Sequence, residues 1–271
     1  MEPSQVPDNR TNASFQNAEA YEQLMGRWSR RLAPLLIGFG GLSATDRVLD
    51  VGCGTGSLAF EAARVAETGS VTGVDLTPGF IEFARARNDD PRVRFEIADA
   101  RDLPFPDNSF DRAFCLLVLH FLPDAARAVA EMRRVVRPGG TVAAAVWDNY
   151  GGQPHIRMLW DIAGVLDPGI QTPLFRPMNR SDEMPAAWRA AGLVDIEQTS
   201  LMIRAEFAGF DDYWSPFAMG EGPHGQYVTG LSDAARATLR EHMFRAYRAN
   251  LPDGPRSFAN VAWACRGLVP G

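Results

Sequence analysis

A glycine cluster directly after a short apolar stretch is the part of the chain best suited to hold a ligand. The segment VLDVGCGTGSLA covers residues 48–59 and contains Gly52, Gly54 and Gly56. Glycine permits positive φ and lets a ligand approach the backbone closely. A helix that begins after such a loop offers free N–H groups and the positive end of its dipole. The pattern predicts a binding loop between a strand and a helix.

Two common phosphate-binding loops do not match this segment. A dinucleotide loop needs Gly or Ala at the position that Ser57 occupies, and no Gly-Lys-Ser/Thr of a P-loop follows. Asp50, just before the glycines, would repel a pyrophosphate but could face an ammonium group. The loop therefore favours an amino-acid-bearing ligand without phosphates over NAD(P), and an NAD(P)-dependent oxidoreductase is a disfavoured alternative.

Two further carboxylates follow later apolar stretches. Asp75 ends the second stretch, and Asp99 follows the third in FEIADARDLPFPDNSFD, residues 95–111. The position of Asp75 suits a carboxylate that accepts hydrogen bonds from ribose hydroxyls. Asp99 can accept from an exocyclic amine. Open α/β sheets bind ligands at the carboxyl ends of their strands, so we expect the three acids in one crevice.

The elements that must position these acids alternate between strands and helices. The strands are apolar on both faces, as parallel strands covered by helices are. The predicted fold class is α/β, a Rossmann-like doubly wound, mostly parallel seven-stranded sheet with helical lid insertions. The predicted strands are 47–51, 70–74, 93–97, 111–117, 141–147, 194–207 and 257–265.

The chain divides into three predicted parts. Residues 1–17 are polar and are expected to be disordered. Residues 18–147 hold N-terminal cover helices and the ligand-binding core, and Pro34 is expected to break the first helix. Residues 148–271 complete the sheet and carry lid or substrate insertions at 148–180 and 209–250.

Composition limits the class of protein. The 271 residues are 46% apolar and 22% charged, with a net charge of -6 and no long basic run, which argues against nucleic-acid binding. No apolar run reaches the roughly 18 residues of a membrane span, and the N-terminus lacks a signal-peptide pattern. The cysteines Cys53, Cys115 and Cys265 have no metal-ligand spacing, so we expect no metal and a reducing cytoplasmic location.

Four segments together resemble the class I S-adenosylmethionine-dependent methyltransferases, in particular the methyltransferase type 11 or UbiE-like group. The resemblance covers roughly Tyr21 to Trp147 and, more loosely, the C-terminal strands. The segments are VLDVGCGTGSLA (48–59), VTGVDLTPGFIEFAR (71–85), FEIADARDLPFPDNSFDRAFC (95–115) and EMRRVVRPGGTVAAAVW (131–147). The resemblance implies S-adenosylmethionine as the cofactor.

The resemblance also implies a role for each matching position. Asp50 would lie near the cofactor ammonium, and Asp75 would bind the ribose hydroxyls. Asp99 would accept from the adenine N6. The residues that would contact the rest of the cofactor are Gly52, Cys53, Gly54 and Gly56 at the methionine, Leu76 and Ala100 at the adenine, Leu116 and Leu117 at the sulfonium, and Tyr21, Met25 and Trp28 from the N-terminal cover.

Four residues are candidates for catalysis. A general base helps methyl transfer to a hydroxyl or a protonated amine. His120 follows the fourth strand, and its alternative role is structural. His155 follows the fifth strand and is expected to face the pocket, with His224 as a further candidate. Asp148 directly follows the fifth strand, but its alternative role as a turn cap is slightly favoured.

Aromatic residues between positions 147 and 227 indicate either a small lid core or an apolar or aromatic acceptor pocket.

The predicted function is transfer of a methyl group from S-adenosylmethionine to an O, N or C atom of a small organic molecule. The alternative is a non-catalytic S-adenosylmethionine-binding or partner-activating protein of the same fold. A homodimer is compatible with the sequence.

Overall fold

The computed structural model describes residues 18–173, 176–180 and 182–271. The predicted disordered segment 1–17 lies outside the described residues. None of the helices in the described ranges is long and apolar enough to cross a membrane.

Seven strands form one sheet in the order β3-β2-β1-β4-β5-β7-β6. Strands β1 to β5 run parallel, and β7 is antiparallel to both of its neighbours. The strands are β1 Arg47–Val51, β2 Ser70–Asp75, β3 Val93–Ile97, β4 Phe110–Leu116, β5 Val136–Trp147, β6 Val194–Phe207 and β7 Arg256–Leu268. The strand order reverses between β1 and β4, and this switch point is where open α/β sheets bind ligands. The predicted Rossmann-like fold class is confirmed.

The helices cover both faces of the sheet. Within the described residues they are α1 Ala18–Tyr21, a π-helix Glu22–Gly26, α2 Arg27–Gly40, α3 Ser57–Val65, α4 Pro78–Ala86, α5 Ala125–Val135, α6 Pro154–Leu166, α7 Glu183–Ala190, α8 Phe210–Ala218, α9 Gly222–Gly230 and α10 Asp233–Arg248. A short 3-10 helix, Leu119–Phe121, follows β4. The side chain of Ser232 caps α10, and that of Asp124 caps α5.

Two hydrophobic cores lie on opposite faces of the sheet. Val48 and Leu49 are neighbours in β1, and both are fully buried, but they belong to different cores. Side chains of a strand alternate between faces, so a strand buried on both sides must be apolar throughout. This is why the central strands appear in the sequence as continuous apolar runs. The cores hold the carboxyl ends of β1, β2 and β4 together at one edge.

Two local expectations are wrong. Pro34 does not break the first helix but lies inside α2, on an exposed position where water can satisfy the carbonyl that loses its partner. The irregularity is instead the π-helix Glu22–Gly26. The fifth strand starts at Val136 rather than Thr141, because the chain leaves α5 directly into the sheet. The aromatic, glycine-rich segment 210–230, which lies within the predicted helical insertion 209–250, forms helices α8 and α9.

Candidate functional site

The glycine loop has the backbone that the sequence predicts. Gly52, Gly54 and Gly56 all have positive φ, at 74°, 53° and 93°. The amides of Gly52 and Cys53 donate to the Val74 carbonyl at 2.7 and 2.9 Å, which ties the loop to β2. A Cβ atom at position 52 would lie 2.4 Å from Val118 Cγ2. Glycine is therefore required at position 52 for both backbone conformation and space.

Asp50, at the end of β1, is fully buried. No described group donates a hydrogen bond of normal geometry to either of its oxygens. Burial raises its pKa to about 8; the nearby Ala59 amide partly offsets this, and the negative charge of Asp75 adds to it. A buried carboxylate without a partner is unfavourable unless a ligand supplies one. Asp50 fits the ammonium group of an amino-acid-bearing ligand.

Asp75 ends β2 and is held in place by backbone amides. It accepts from Gly54 N at Oδ2 and from Thr77 N at Oδ1, both at 2.9 Å. Burial raises its pKa, and these amides oppose the rise. A carboxylate has about four acceptor positions, so Asp75 can still accept from ligand hydroxyls.

An open apolar surface lies beside Asp75. The Leu76 side chain is 43% exposed, and Ile97, which pairs with Asp75 across β2 and β3, is 51% exposed. Exposed apolar residues next to anchored acids suit a flat ring such as adenine. Sequence reasoning named Leu76 but not Ile97, because the last residue of a strand gives no sign of whether its side chain is covered.

Asp99 is ion-paired with its neighbour. The Arg101 guanidinium lies 2.7 Å from Asp99 Oδ2, and the hydrogen bonds from this side chain lower the pKa of Asp99. Asp99 therefore stays ionised at neutral pH. Ala100 is buried next to it. Their roles at an adenine ring remain predictions.

The N-terminal cover reaches the glycine loop through two neighbouring residues. A Cβ atom at Gly54 would lie 3.8 Å from the Tyr21 ring, so Tyr21 lies directly over the loop. Glu22 accepts a hydrogen bond from the Thr55 hydroxyl and forms ion pairs with Arg30 and, at 3.7 Å, with Arg87. Sequence reasoning missed Glu22 and Thr55, since a glutamate in a helix and a threonine in a loop carry no distinguishing signal.

A pocket adjoins the loop beneath this cover. Including the part that opens to solvent, its space is about 590 Å³. The residues that line it are Tyr21, Met25, Leu117, His120, Phe121, Trp147, Asn149, Gln153, Ile156, Trp160, Pro173, Arg176, Pro223 and His224. Leu117 directly follows β4 and has a φ of 64°, a strained value for a residue other than glycine. Tyr21 and Leu117 thus join the pocket to the glycine loop.

Several buried polar atoms of the pocket residues have no hydrogen-bond partner among the described residues. They are His120 Nδ1, Trp147 Nε1, Asn149 Nδ2 and His224 Nδ1. Burial, and then the charge of Arg176, lower the pKa of both His120 and His224 to about 3. Both rings are therefore neutral at pH 7. Buried polar atoms are normally paired, so these atoms indicate that the pocket receives a ligand.

His155 is not among the residues that line this pocket, and its role in catalysis stays a prediction. It lies on the apolar side of α6, with its ring 5.5 Å from the Phe207 ring and 6.0 Å from the Phe258 ring. Its carbonyl accepts a hydrogen bond of 2.6 Å from the Tyr213 hydroxyl. These contacts place the His155 ring among aromatic side chains of the core.

Asp148 and Trp28 have structural contacts. Asp148 Oδ1 accepts from the amides of Tyr150 and Gly151 at 3.1 and 3.0 Å, the geometry of a turn cap. Trp28 is buried in the core, 5.4 Å from Phe207. Neither residue lines the pocket: Asp148 accepts hydrogen bonds from the backbone, and Trp28 packs in the core.

Some pocket residues were not predicted as site residues. Arg176 lies in a Pro-rich loop, and Asn149 and Gln153 lie between β5 and α6. No local pattern marks a single polar residue in a long connection as part of a site. Only the fold brings these residues opposite His120 and Leu117.

Comparison with known proteins assigns the family. A family model described as "Methyltransferase domain" matches residues 49–144. The chain is 31% identical over 200 residues to aklanonic acid methyltransferase DauC of Streptomyces sp. (strain C5), a match that covers 72% of this chain and 85% of that protein. The chain therefore belongs to the S-adenosylmethionine-dependent methyltransferases.

Other matches are shorter or more distant. The chain is 43% identical over 117 residues to 27-O-demethylrifamycin SV methyltransferase of Amycolatopsis mediterranei (strain S699), which covers 42% of this chain and 43% of that protein. It spans about half the length of several curated relatives that it matches. A solved structure of Haemonchus contortus phosphoethanolamine N-methyltransferase 2 in complex with S-adenosyl-L-methionine matches with a TM-score of 0.57 at 20% identity, over 100% of this chain and 62% of that one. That likeness shows the fold.

Proposed function

We propose that this chain transfers the methyl group of S-adenosylmethionine to an oxygen, nitrogen or carbon atom of a small organic molecule. The observation that carries the proposal is the continuity of the glycine loop with an aromatic pocket that contains unpartnered polar atoms, joined by Tyr21 and Leu117. The names of two relatives, which refer to a rifamycin and to aklanonic acid, support an organic small molecule as the acceptor.

The residues at the loop fit the cofactor. Asp50 offers an unpaired buried carboxylate for the ammonium group, and Asp75 is fixed to accept from ribose hydroxyls. Leu76 offers exposed apolar surface for the adenine, and Asp99 offers an ionised carboxylate for its amine. When bound, the cofactor supplies a methyl group on a positively charged sulfur, which is a good leaving group.

The chain itself contributes position and exclusion of water. Tyr21 and Leu117 lie where the pocket meets the loop, so they would hold the acceptor in line with the methyl group. Aromatic walls exclude water and strengthen every electrostatic contact inside. For a hydroxyl or amine acceptor, His120 is the residue placed to take a proton, because it lines the pocket and its Nδ1 is unpartnered.

The acceptor carries an apolar or aromatic body, on this proposal. The apolar wall of the pocket includes Trp147, Trp160, Phe121 and Ile156. Pockets of this kind bury most of a small ligand and orient it with a few polar groups.

We also infer a reducing cytoplasmic location, since Cys53, Cys115 and Cys265 are free and buried.

The test is a methyl-transfer screen. The purified chain is incubated with S-adenosylmethionine and a library of small aromatic metabolites, and mass spectrometry follows S-adenosylhomocysteine and products one methyl group heavier. We expect at least one acceptor to give both, with turnover lost in Asp75→Ala and kept in a control at the exposed Asp89, Asp89→Ala. Cofactor binding without turnover on any acceptor would instead favour the non-catalytic alternative.

A further inference from the structure

Arg176 is a half-buried cation in the pocket wall. Its guanidinium stacks over the Phe121 ring, 4.8 Å from the ring centroid. Among the described residues, no Asp or Glu forms an ion pair with it, whereas most other arginines near the protein surface have such a partner. Burial lowers the pKa of Arg176, which remains charged at neutral pH. A cation partly removed from water without a counter-ion is costly unless a ligand provides one.

The rest of the pocket adds donors but no negative charge. Arg176 is the one charged side chain among the described lining residues, although the whole chain has a net charge of -6. His120 and His224 also line the pocket and are neutral, and the charge of Arg176 contributes to the lowering of both pKa values. Trp147 Nε1 and Asn149 Nδ2 are N–H donors without a partner in the described part of the chain. These groups are the donors that the described wall of the pocket offers to an oxygen anion.

The acids of the site belong to the other end of the cleft. Asp50 and Asp75 lie at the glycine loop, and neither lines the pocket that contains Arg176. The carboxyl groups of the cleft therefore lie where the cationic part of the cofactor would bind, and its arginine lies where the acceptor would bind. Arginine suits carboxylates and other oxygen anions because its planar fork can donate two parallel hydrogen bonds.

We propose that the methyl acceptor is an anion: an apolar or aromatic molecule whose carboxylate or ionised phenol binds Arg176. The proposal rests on the proposed function, and it names the class of acceptor. Arg176 positions the acceptor through this oxygen, and Trp147 Nε1 and Asn149 Nδ2, in the wall of the same pocket, are further donors available to the acceptor. A neutral analogue of the same shape leaves the guanidinium unpaired and binds more weakly.

The test measures binding of paired probes to the chain saturated with S-adenosylhomocysteine. The probes are benzoate and benzamide, 1-naphthoate and 1-naphthamide, and anthracene-9-carboxylate and its amide, titrated by calorimetry. We expect at least one carboxylate to bind about tenfold or more tightly than its amide. A further titration uses 1-naphthol at several pH values. If an ionised phenol is the ligand, its affinity increases as the pH rises and the phenol loses its proton.

Variants assign the effect to Arg176. We expect Arg176→Gln to lose the preference for the carboxylate, and Arg176→Lys to keep part of it because the charge remains. Arg180→Gln is the matched control, since Arg180 lies in the same connection and its side chain is 78% exposed. Affinity for S-adenosylhomocysteine should be unchanged in all three variants, which also shows that each variant folds.

Three results would overturn the proposal. In the first, neither 1-naphthol nor any carboxylate binds more tightly in its anionic form than as a neutral molecule. In the second, Arg176→Gln retains the preference for the anion. In the third, Arg176→Gln loses affinity for S-adenosylhomocysteine, which would place Arg176 at the cofactor. Failure of the unmodified chain to bind S-adenosylhomocysteine would contradict the proposed function itself and is a separate result.

Discussion

Asp50 is the residue whose charge depends most on a bound ligand. Its pKa of about 8 means that the free protein mostly holds it protonated at pH 7. An ammonium group beside it favours the carboxylate, so cofactor binding should release a proton. Calorimetric titration with S-adenosylmethionine at pH 7, in buffers of different ionisation enthalpy, measures this release. We expect about one proton per cofactor, falling toward none at a pH well above 8.

Variants of Asp50 control for proton release from the ligand. Asp50→Asn should release no proton from this position and bind the cofactor about tenfold or more weakly, because an amide cannot replace a charged partner. Asp89→Asn, at an exposed residue, should behave as the unmodified chain. Equal proton release from Asp50→Asn and from the unmodified chain would contradict the assignment of Asp50.

Single residues could be predicted where a strand end marks them. Asp50, Asp75 and Asp99 each follow a recognisable apolar strand, and the rule for open sheets places them at one edge. Arg176 and Glu22 could not be predicted, because their importance comes from what lies opposite them in space. The contacts of His155 could not be predicted for the same reason: its sequence position after β5 allows two faces of α6, and packing with Phe207 decides between them.

At the scale of elements, the N-terminal cover depends on Glu22. This residue connects the π-helix to Thr55 of the loop and to Arg87 at the end of α4. π-Helices are rare and often occur at functional sites. We expect Glu22→Ala to speed amide hydrogen exchange across residues 18–26 and to weaken cofactor affinity several-fold, since Tyr21 then covers Gly54 less of the time.

Glu19→Ala provides the matched control. Glu19 lies in the same segment, and its side chain is exposed. Hydrogen exchange with mass spectrometry should find the segment unchanged in that variant. An unchanged segment in Glu22→Ala as well would show that Glu22 does not hold the cover in place.

The strands and helices of the central sheet were predictable because burial on both faces produces continuous apolar runs. Elements outside the sheet were harder. The helices α8 and α9 arise in a glycine-rich aromatic segment, where packing of Phe210 against Phe244 and Tyr247 overrides weak local helix preference. Pro34 is tolerated within α2 for a similar reason, since the buried residues on the other side of that helix hold it in the core.

At the scale of the whole molecule, the buried ionisable groups predict how stability depends on pH. His120, His155 and His224 have pKa values of about 3, so the unfolded chain binds protons that the folded chain cannot as the pH falls below about 6.5. The three histidines therefore lower the stability of the folded protein as the pH falls from about 6.5 toward 3. Asp50 has a raised pKa, so it lowers stability as the pH rises from its ordinary value to about 8.

These opposite effects predict maximum stability of the free protein near pH 6.5. Below that pH the three histidines dominate, and above it Asp50 lowers stability by at most about 1.4 kcal/mol per pH unit, with Asp75 acting in the same direction because burial also raises its pKa. The melting temperature should therefore fall by roughly 2–4 °C per pH unit toward pH 8. Thermal melts across this range measure it.

Two additions to those melts identify the group responsible. Asp50→Asn and saturation with S-adenosylmethionine should each flatten the decline between pH 6.5 and 8, the first by removing the charge and the second by pairing it. A decline that persists in Asp50→Asn would assign it to another group.

Calorimetric titration of the whole chain with S-adenosylmethionine at pH 8 tests the assignment of the cleft most directly. We predict saturable binding at a single site in the unmodified chain and in Asp89→Ala. Binding should be about tenfold weaker or lost in Asp75→Ala while its circular dichroism stays that of the folded protein. Absence of binding to the unmodified chain, or equal affinity in Asp75→Ala, would contradict the assignment.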